Sequence, residues 1–363
     1  MIALNILRLV ESAYHVHDPE VDEAPVAVSK LPNMDSTSDE VGVYRYLGRF
    51  QVYATGDELP FEPNSVIQVD SDMSVFDAFG QLVKHNVLSL PIRDSESGQY
   101  VGMIDMVDLV HLAVTTLDTS SLTDLASLTG TADSLFVGSL ASVANSSQFN
   151  PYVEVPNGIA LLAVMRLLGE RGLRRVCVVD TTGVVTGVIS QSWLVRWLNI
   201  HKLALGSELM NTTVADLALV SGPELVVSVK DDVHAVDAFK AMVDNGVTSC
   251  AIVDKDDGSL ITVLSVRDLK VLRGAVKDNI HDHEFNFSSL FAPVMDFVAA
   301  SRMMNLRTFP AVVGIKASTS FSQVIAKFAA TGLHRLFVID DSRVPIGVVS
   351  LGDVIRAIPT RVA

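Results

Sequence analysis

The stretch HRLFVIDDSRVPIGVVSLGDVIRAI, residues His334–Ile358, is the segment that decides the fold. Apolar and β-branched residues at 336–339 and 346–349 predict two strands, and the polar residues at 340–342 predict a turn between them. Helical spacing of apolar residues follows, with Ser350 at the position of an N-cap and an acid three residues further on. This segment is therefore predicted to form a strand, a turn, a strand and a helix.

The same pattern occurs four times in the chain. The copies of the first strand are LSLPIRD, RRVCVVD, TSCAIVD and HRLFVID, which end at Asp94, Asp180, Asp254 and Asp340, so they are 86, 74 and 86 residues apart. The step from the second strand to the helix ends at Asp108, Trp193, Asp268 and Asp353, which are 85, 75 and 85 residues apart. Two independent landmarks with the same long–short–long spacing predict four units arranged as two similar pairs.

An upstream strand and an amphipathic helix complete each unit. Apolar residues at three- and four-residue steps predict these helices at 74–85, 158–171, 232–245 and 320–331. Short apolar runs predict a first strand at 66–69, 152–155, 225–229 and 311–315. Each unit is therefore predicted to have the order β-α-β-β-α. A unit of this size cannot bury a large core alone, so we expect the units to pack in pairs.

The repeat resembles the CBS domain, named for cystathionine β-synthase, which normally occurs as tandem pairs. The resemblance covers residues 61–363 and implies an α/β fold of two tandem CBS pairs with pseudo-twofold packing. We expect an acidic N-terminal arm at 1–60, a first pair (units one and two) at 61–204, and a second pair (units three and four) at 205–363. Within each pair, we expect the two units to pack chiefly on each other, with their sheets in contact.

The composition excludes several classes of function. With 42 acids against 27 bases and a net charge of −15, nonspecific attraction to nucleic acid or anionic lipid is not expected. No apolar run reaches the length of a membrane span, the N-terminus lacks the basic start of a signal peptide, and the two cysteines form no CxxC motif. We therefore expect a cytoplasmic or nuclear protein. Outside the repeats, only the N-terminal arm remains, too short for a typical catalytic domain, so no enzymatic activity is expected.

Three acids at the strand-to-helix step are candidate ligand contacts: Asp108, Asp268 and Asp353. One interpretation is helix capping, because Ser265 and Ser350 precede two of them as in a capping box, and a carboxylate suits the first helical turn. The CBS resemblance implies a second role, in which the acid accepts hydrogen bonds from the 2′- and 3′-hydroxyls of a ribose. Both roles can coexist. Unit two carries Trp193 at this position and is therefore expected to hold no ribose in this way.

Basic pairs open the predicted central strand of two units. They are Arg174–Arg175 in unit two and His334–Arg335 in unit four. The residue types alone also allow solvated cations at the end of a strand. The chain is similar to the gamma subunit of AMP-activated protein kinase, and this resemblance implies that the basic pairs point toward nucleotide phosphates, which arginine contacts bidentately. It also implies that Thr248, Ser249 and Ser350 lie on the adenine side of a cleft.

The chain departs from the gamma-subunit pattern at three positions, so it has fewer of the basic residues that the resemblance implies around the phosphates. Leu88 stands where arginine is usual, Arg174 where histidine is usual, and Ser192 where lysine is usual. The favoured function is a non-catalytic regulatory subunit that binds AMP, ADP or ATP as a regulatory ligand rather than as a cofactor. The resemblance implies a heterotrimer with a protein kinase catalytic subunit and a scaffold subunit. The alternative is a CBS-domain scaffold or interaction protein with partly decayed nucleotide sites.

A metal site is not expected from the sequence. His281 and His283 form an HxH motif, but no third cluster of ligands supports it, and zinc normally requires three or four protein ligands.

Overall fold

The structure is a computed structural model that describes residues 47, 50–52, 66–116, 139–144, 150–273, 287–304 and 314–360. Most of the N-terminal arm and the HxH motif at His281 and His283 lie outside the described residues. Within the described ranges, no helix combines the length and the hydrophobicity that crossing a bilayer requires.

The first two units follow the predicted order. A short strand, β1 (Gln51–Val52), precedes them. Unit one contains β2 (Val69–Asp70), α1 (Val75–Lys84), β3 (Ser89–Arg93), β4 (Tyr100–Asp105) and α2 (Met106–Thr116). A short helix, α3 (Leu140–Val143), comes next. Unit two contains β5 (Glu154–Pro156), β6 (Ile159–Ala160), α4 (Leu161–Gly169), β7 (Arg175–Val179), β8 (Val185–Ser190) and α5 (Gln191–Ile200). Strands β1 and β6 pair with each other, antiparallel.

The second two units repeat this order with one change of helix type. Between the pairs lie the 3₁₀ helices Lys202–Leu205 and Pro223–Leu225 and the helix α6 (Ser207–Asn211). Unit three contains β9 (Ser228–Lys230), α7 (Ala235–Asp244), β10 (Ser249–Val253), β11 (Leu260–Ser265) and the 3₁₀ helix Val266–Arg273, where an α-helix was predicted. The 3₁₀ helix Phe287–Phe291 and α8 (Val294–Met304) follow. Unit four contains β12 (Gly314–Ile315), α9 (Phe321–Thr331), β13 (Arg335–Ile339), β14 (Pro345–Ser350) and α10 (Leu351–Thr360).

Each unit forms a three-stranded sheet. The first strand runs parallel to the central strand and the third runs antiparallel to it. The parallel connection passes through the first helix of the unit, as expected for a β-α-β crossover. Serine begins two of these helices: Ser74 Oγ accepts a hydrogen bond from the Asp77 backbone at 3.0 Å, and Ser320 forms a capping box with Gln323. The predicted α/β class and unit order are therefore confirmed.

The sheets pack against each other within each pair, as predicted. Met103, Cys177 and Val185 form a small buried cluster between units one and two. The rings of Tyr100 and Tyr152 stack beside it, with centroids 5.8 Å apart. The sheets of units three and four share a similar cluster, which contains Ala251, Leu260, Phe337 and Val348.

The two largest cores nevertheless join units of different pairs. One core combines helices of units one and three, and contains Phe79, Leu109, Phe239 and Phe297. The other combines helices of units two and four, and contains Leu168, Leu198, Phe328 and Ile355. The expectation that each unit packs chiefly within its own pair is therefore wrong. The sheets are narrow and their strands short, so the amphipathic helices carry most of the apolar surface that must be buried.

The predicted boundary between the pairs lies inside packed structure. Residues 204 and 205 belong to the 3₁₀ helix Lys202–Leu205, and both Ala204 and Leu205 are buried in the core of units two and four. The division into segments 1–60, 61–204 and 205–363 stays a prediction.

Candidate functional site

A cavity of about 650 Å³ lies where residues of all four units meet. Its walls are formed mainly by the start of the central strand and by the strand-to-helix step of the units. Pockets that hold small organic ligands typically have volumes of about 300–1,000 Å³. The cavity is therefore large enough for a nucleotide-sized molecule.

Strand register explains why basic residues reach the cavity from units two and four. In every unit, the first residue of the central strand pairs with the last residue of the third strand. The pairs are Ser89–Asp105, Arg175–Ser190, Ser249–Ser265 and Arg335–Ser350. Units two and four thus place an arginine where units one and three place a serine.

All four predicted basic residues line the cavity. They are Arg174, Arg175, His334 and Arg335. Three further arginines that the sequence analysis missed also line it: Arg196 on α5, Arg267 on the 3₁₀ helix of unit three, and Arg356 on α10. Arg196 and Arg356 each lie six residues after the last strand residue of their unit, so the repeat itself contained a signal for them. Arg267 has no such counterpart.

The cavity is electropositive, and its cations destabilise one another. Burial lowers the pKa of Arg174 to about 10, and the neighbouring charges of Arg175 and Arg335 act in the same direction, while Asp105 partly opposes the shift. Burial also lowers the pKa of Arg335, with Asp353 opposing. An anion in the cavity would relieve this mutual repulsion.

His334 is neutral in this environment. Burial, together with the charges of Arg267, Arg175, Arg174 and Arg196, lowers its pKa to about 3. Its Nε2 atom is buried and accepts or donates no hydrogen bond among the described residues. His334 can therefore offer one ring N–H to a ligand, but it adds no charge to the cavity at pH 7.

Two carboxylates line the cavity, and each contacts an arginine. Asp105 lies 2.5 Å from Arg175 Nη2, across the boundary between units one and two. Asp353 Oδ2 accepts hydrogen bonds from the backbone N–H of Ser350 at 2.8 Å and from its hydroxyl at 2.6 Å, while Oδ1 pairs with Arg356. Asp353 thus combines the capping role with a position at the cavity wall.

The other two predicted ribose-binding acids do not line this cavity. Asp108 is fully buried, and its Oδ2 accepts the backbone N–H of Asp105 at 3.0 Å. Asp268 accepts the backbone N–H of Ser265 at 2.7 Å and the Ser301 hydroxyl at 2.6 Å. Both carboxylates therefore cap helices, as Asp353 does, but unlike Asp353 they do not line this cavity. In unit one, the acid at the cavity wall is Asp105.

Some of the remaining predicted residues line the cavity and others do not. Thr248 and Ser350 line the cavity, whereas Ser249 is buried outside the lining, where its hydroxyl has no hydrogen-bond partner among the described residues. Trp193 packs against the core of units two and four, and its backbone N–H donates to Ser190 Oγ at 3.2 Å. The indole therefore occupies core space beside the step. Leu88 and Ser192, which depart from the gamma-subunit pattern, both line the cavity.

In the described part of the chain, no group of three or more histidine, cysteine, aspartate or glutamate side chains is arranged to hold an ion.

Comparison with known proteins agrees with this architecture. The family model of the CBS domain matches residues 63–115 and 302–360. Protein SDS23 of Eremothecium gossypii is 26% identical over 291 residues, which cover 77% of this chain and 58% of that protein. Protein SDS23 of Saccharomyces cerevisiae is 26% identical over 301 residues, which cover 77% of this chain and 54% of that protein. The chain thus matches little more than half the length of these relatives.

A solved structure shares the four-unit fold. It is a protein of Methanocaldococcus jannaschii, a proposed archaeal homolog of gamma-AMPK, with a TM-score of 0.57 and 14% sequence identity over 81% of this chain and 96% of that chain. At this identity, the likeness concerns the fold alone. The chain therefore contains CBS-domain segments at 63–115 and 302–360, within the fold that it shares with this structure.

Proposed function

We propose that this protein is a non-catalytic regulatory subunit that binds adenine nucleotides in the cavity between its four units. One observation carries the proposal: six arginines and His334 line a single cavity in a chain whose net charge is −15. Arginines of like charge repel one another, so their convergence indicates an anionic ligand.

Phosphate suits this cluster better than a carboxylate ligand does. A guanidinium group donates two parallel hydrogen bonds to phosphate, and a polyphosphate can contact several arginines at once. Arg174 and Arg175 approach from unit two, and Arg335 and Arg356 from unit four, so a phosphate chain between them would connect both pairs. The neutral ring of His334 adds a hydrogen-bond donor.

The rest of the lining fits a nucleoside. Val66, Ile67 and Val87 supply apolar surface for a base, and Thr248 supplies a small hydroxyl. Asp353 is the acid that we propose for the ribose, because its Oδ1 pairs with Arg356, whose side chain is 52% exposed, whereas Oδ2 is held by Ser350. The nucleotide acts as a regulatory ligand rather than as a cofactor.

Regulation follows from the position of the cavity between units. A ligand that contacts more than one unit favours the arrangement of units that fits it best, and so changes any surface whose shape depends on that arrangement. We propose that this surface belongs to a complex with a protein kinase catalytic subunit and a scaffold subunit, in the cytoplasm or the nucleus. The fold shared with the proposed archaeal homolog of gamma-AMPK supports the proposal of a kinase complex.

Calorimetric titration with AMP, ADP, ATP and GTP tests nucleotide binding. We expect the adenine nucleotides to bind and Arg335→Gln to weaken them by about tenfold, since removing one charge-assisted hydrogen bond costs about 1.5–3 kcal/mol. Arg171→Gln is the matched control, because Arg171 is exposed and does not line the cavity. Equal affinities of the two variants would remove Arg335 from the site, and the absence of binding by the wild type would end the proposal.

A second candidate function is a CBS-domain scaffold with partly decayed sites. The observation that favours it is that Asp108 and Asp268 cap helices away from the cavity, while Leu88 and Ser192 replace basic residues at its wall. This candidate predicts that millimolar nucleotide neither binds nor raises the melting temperature. Such a result would establish it over the favoured function.

A further inference from the structure

The cavity contains an acidic group of the protein itself, the carboxylate of Asp105. This side chain is buried, with only 1% of its surface exposed, and lies 2.5 Å from Arg175 of the neighbouring unit, whose side chain is 10% exposed. Asp105 Oδ1 also accepts the backbone N–H of Val107 at 2.8 Å. The ion pair is therefore desolvated and tied to the start of helix α2.

The repeat shows that this acid is a departure from the pattern of the chain. Asp105 is the last residue of β4, and the equivalent residues of the other three units are Ser190, Ser265 and Ser350. Serine at this position is compatible with the fold, since Ser350 Oγ accepts the backbone N–H of Asp353 at 3.3 Å. The carboxylate of Asp105 is therefore not required by the strand-to-helix step.

The two pairs differ at this point. Arg175 and Arg335 occupy equivalent positions in units two and four, opposite Ser190 and Ser350. Arg175 meets a carboxylate from unit one, whereas the equivalent residue of unit three is Ser265, whose hydroxyl donates to Asp268 at 2.9 Å. At the last residue of the third strand, unit one thus places a carboxylate beside the arginine of unit two, whereas unit three places a serine.

Asp105 acts on more than its direct partner. Besides Arg175, the charged and titratable side chains that line the cavity are Arg174, Arg196, Arg267, His334, Arg335, Asp353 and Arg356. Among these neighbours, Asp105 is the carboxylate that stabilises the charge of Arg174 most. It therefore compensates the basic residues of unit two, which are the residues that a ligand phosphate would contact.

We propose that Asp105 is an internal competitor for the anionic ligand: its carboxylate occupies the position beside Arg175 that a phosphate group would take. Binding of phosphate then requires the Asp105–Arg175 pair to open or to share the guanidinium, so Asp105 lowers the affinity of the cavity for anions. This inference rests on the proposed function and assigns to Asp105 a role beyond the cap that its Oδ1 forms with the Val107 N–H.

Replacing Asp105 tests the competition. Asp105→Ser introduces the residue found in the other three units, and Asp105→Asn keeps a side-chain acceptor for the Val107 N–H while removing the charge. Inorganic pyrophosphate and ATP are titrated into both variants and the wild type by calorimetry. We expect both variants to bind pyrophosphate and ATP about tenfold more tightly, because close charge pairs at interfaces couple by at least this amount.

The control separates competition from a general change of charge. Asp256→Ser removes the same charge from an exposed turn and is expected to leave the affinities within about twofold. Thermal melting provides a second readout: Asp105→Asn leaves Arg175 buried beside an amide, so it is expected to melt lower without anions and to gain more from pyrophosphate than the wild type.

Each outcome decides between the two proposals. If the wild type binds ATP and both Asp105 variants bind it equally or more weakly, the competitor role is overturned while nucleotide binding stands. If neither the wild type nor any variant binds pyrophosphate or ATP, the proposed function and this inference both fail. Binding that is detectable in the wild type and about tenfold tighter in both Asp105 variants supports the competitor role.

Discussion

At the scale of single residues, the same residue type at the same step of the repeat serves different purposes. Asp108, Asp268 and Asp353 all accept the backbone N–H of the residue three positions earlier. Only Asp353 also lines the cavity, and its second oxygen contacts an arginine of the same helix. The repeat therefore fixes the cap, whereas the neighbouring units decide whether the carboxylate reaches a ligand.

Asp353→Ala tests this division of roles. The variant is expected to weaken AMP binding by about ten- to a hundredfold, because a hydrogen bond to a charged group is worth about 1.5–3 kcal/mol. It is also expected to lose about 1 kcal/mol of folding stability with the cap. AMP affinity and thermal melting are measured side by side.

Asp341→Ala is the control for Asp353→Ala. Asp341 pairs with Lys316 at 2.6 Å in an exposed turn away from the cavity, and such surface pairs contribute about 0–1 kcal/mol. If Asp353→Ala melts lower but binds AMP as tightly as Asp341→Ala does, the carboxylate is a helix cap only.

The residue types predicted part of the site and left part of it out. Arg174, Arg175, His334 and Arg335 stand at equivalent positions of the repeat, and all of them line the cavity. The pairing of Asp105 with Arg175 was not predictable, because it crosses two units whose relative placement the sequence does not encode locally. Arg267 was missed for the same reason.

At the scale of secondary-structure elements, local patterns predicted the order but not the partners. Alternating and helical periodicities are properties of a few consecutive residues, so β-α-β-β-α was readable four times over. An apolar helix face indicates that something covers it without indicating which helix does so. Consequently, the packing of unit one on unit three, and of unit two on unit four, appeared only in the structure.

Gly169→Ala tests the contact between α4 of unit two and α10 of unit four. A Cβ atom at Gly169 would lie 2.9 Å from the backbone N of Arg356 and 3.0 Å from its Cα, so one helix must shift. Overpacking typically costs about 1–3 kcal/mol, which exceeds the gain of about 0.5–1 kcal/mol from replacing glycine in a helix. We therefore expect Gly169→Ala to lower the melting temperature.

A second helical glycine is the control for Gly169→Ala. At Gly352 on α10, a Cβ would lie 3.4 Å from the flexible amide of Gln191, so Gly352→Ala is expected to be neutral or stabilising. Equal stability changes in the two variants would show that helix propensity alone decides them and that α4 and α10 do not approach closely.

Lys270 tests the contact between units one and three through the pH dependence of stability. The lysine is buried, 6% exposed, and its Nζ donates to Asn86 Oδ1 of unit one at 3.0 Å. Burial, together with the charge of Arg267, lowers its pKa to about 7. Between the folded and unfolded pKa values the unfolded chain binds more protons, so wild-type stability rises with pH above about 7 and is lowest below it.

Lys270→Met removes this titration. Relative to the variant, the free energy of unfolding of the wild type is expected to rise by about 1.4 kcal/mol for each pH unit between 7 and 9. Denaturant unfolding measures this slope. The loss of the bond to Asn86 adds an offset that does not change with pH, so the slope is the prediction. The exposed residue Lys255 provides the control, and a slope of equal size in Lys255→Met would contradict the assignment to Lys270.

At the scale of the whole molecule, the two packing modes connect all four units into one body. Sheet contacts join unit one to unit two and unit three to unit four, while helix contacts join one to three and two to four. The cavity lies where these contacts meet, and residues of every unit line it. A ligand there therefore touches both the pairs predicted from the sequence and the helix cores that cross between them.

This arrangement predicts that the sequence-defined pairs are not independent folding units. The segments 61–204 and 205–363 each contain half of both large cores, so either segment alone exposes the helix faces that carry Phe79, Phe239, Leu168 and Phe328. Exposed apolar surface of this kind drives association. Each segment expressed alone is expected to aggregate or to self-associate, and co-expression is expected to give a one-to-one complex that melts near the intact chain. Size-exclusion chromatography with light scattering measures both. A monomeric 61–204 segment that unfolds cooperatively would show that sheet contacts within the pair are sufficient, and that the helix cores between pairs contribute little to stability.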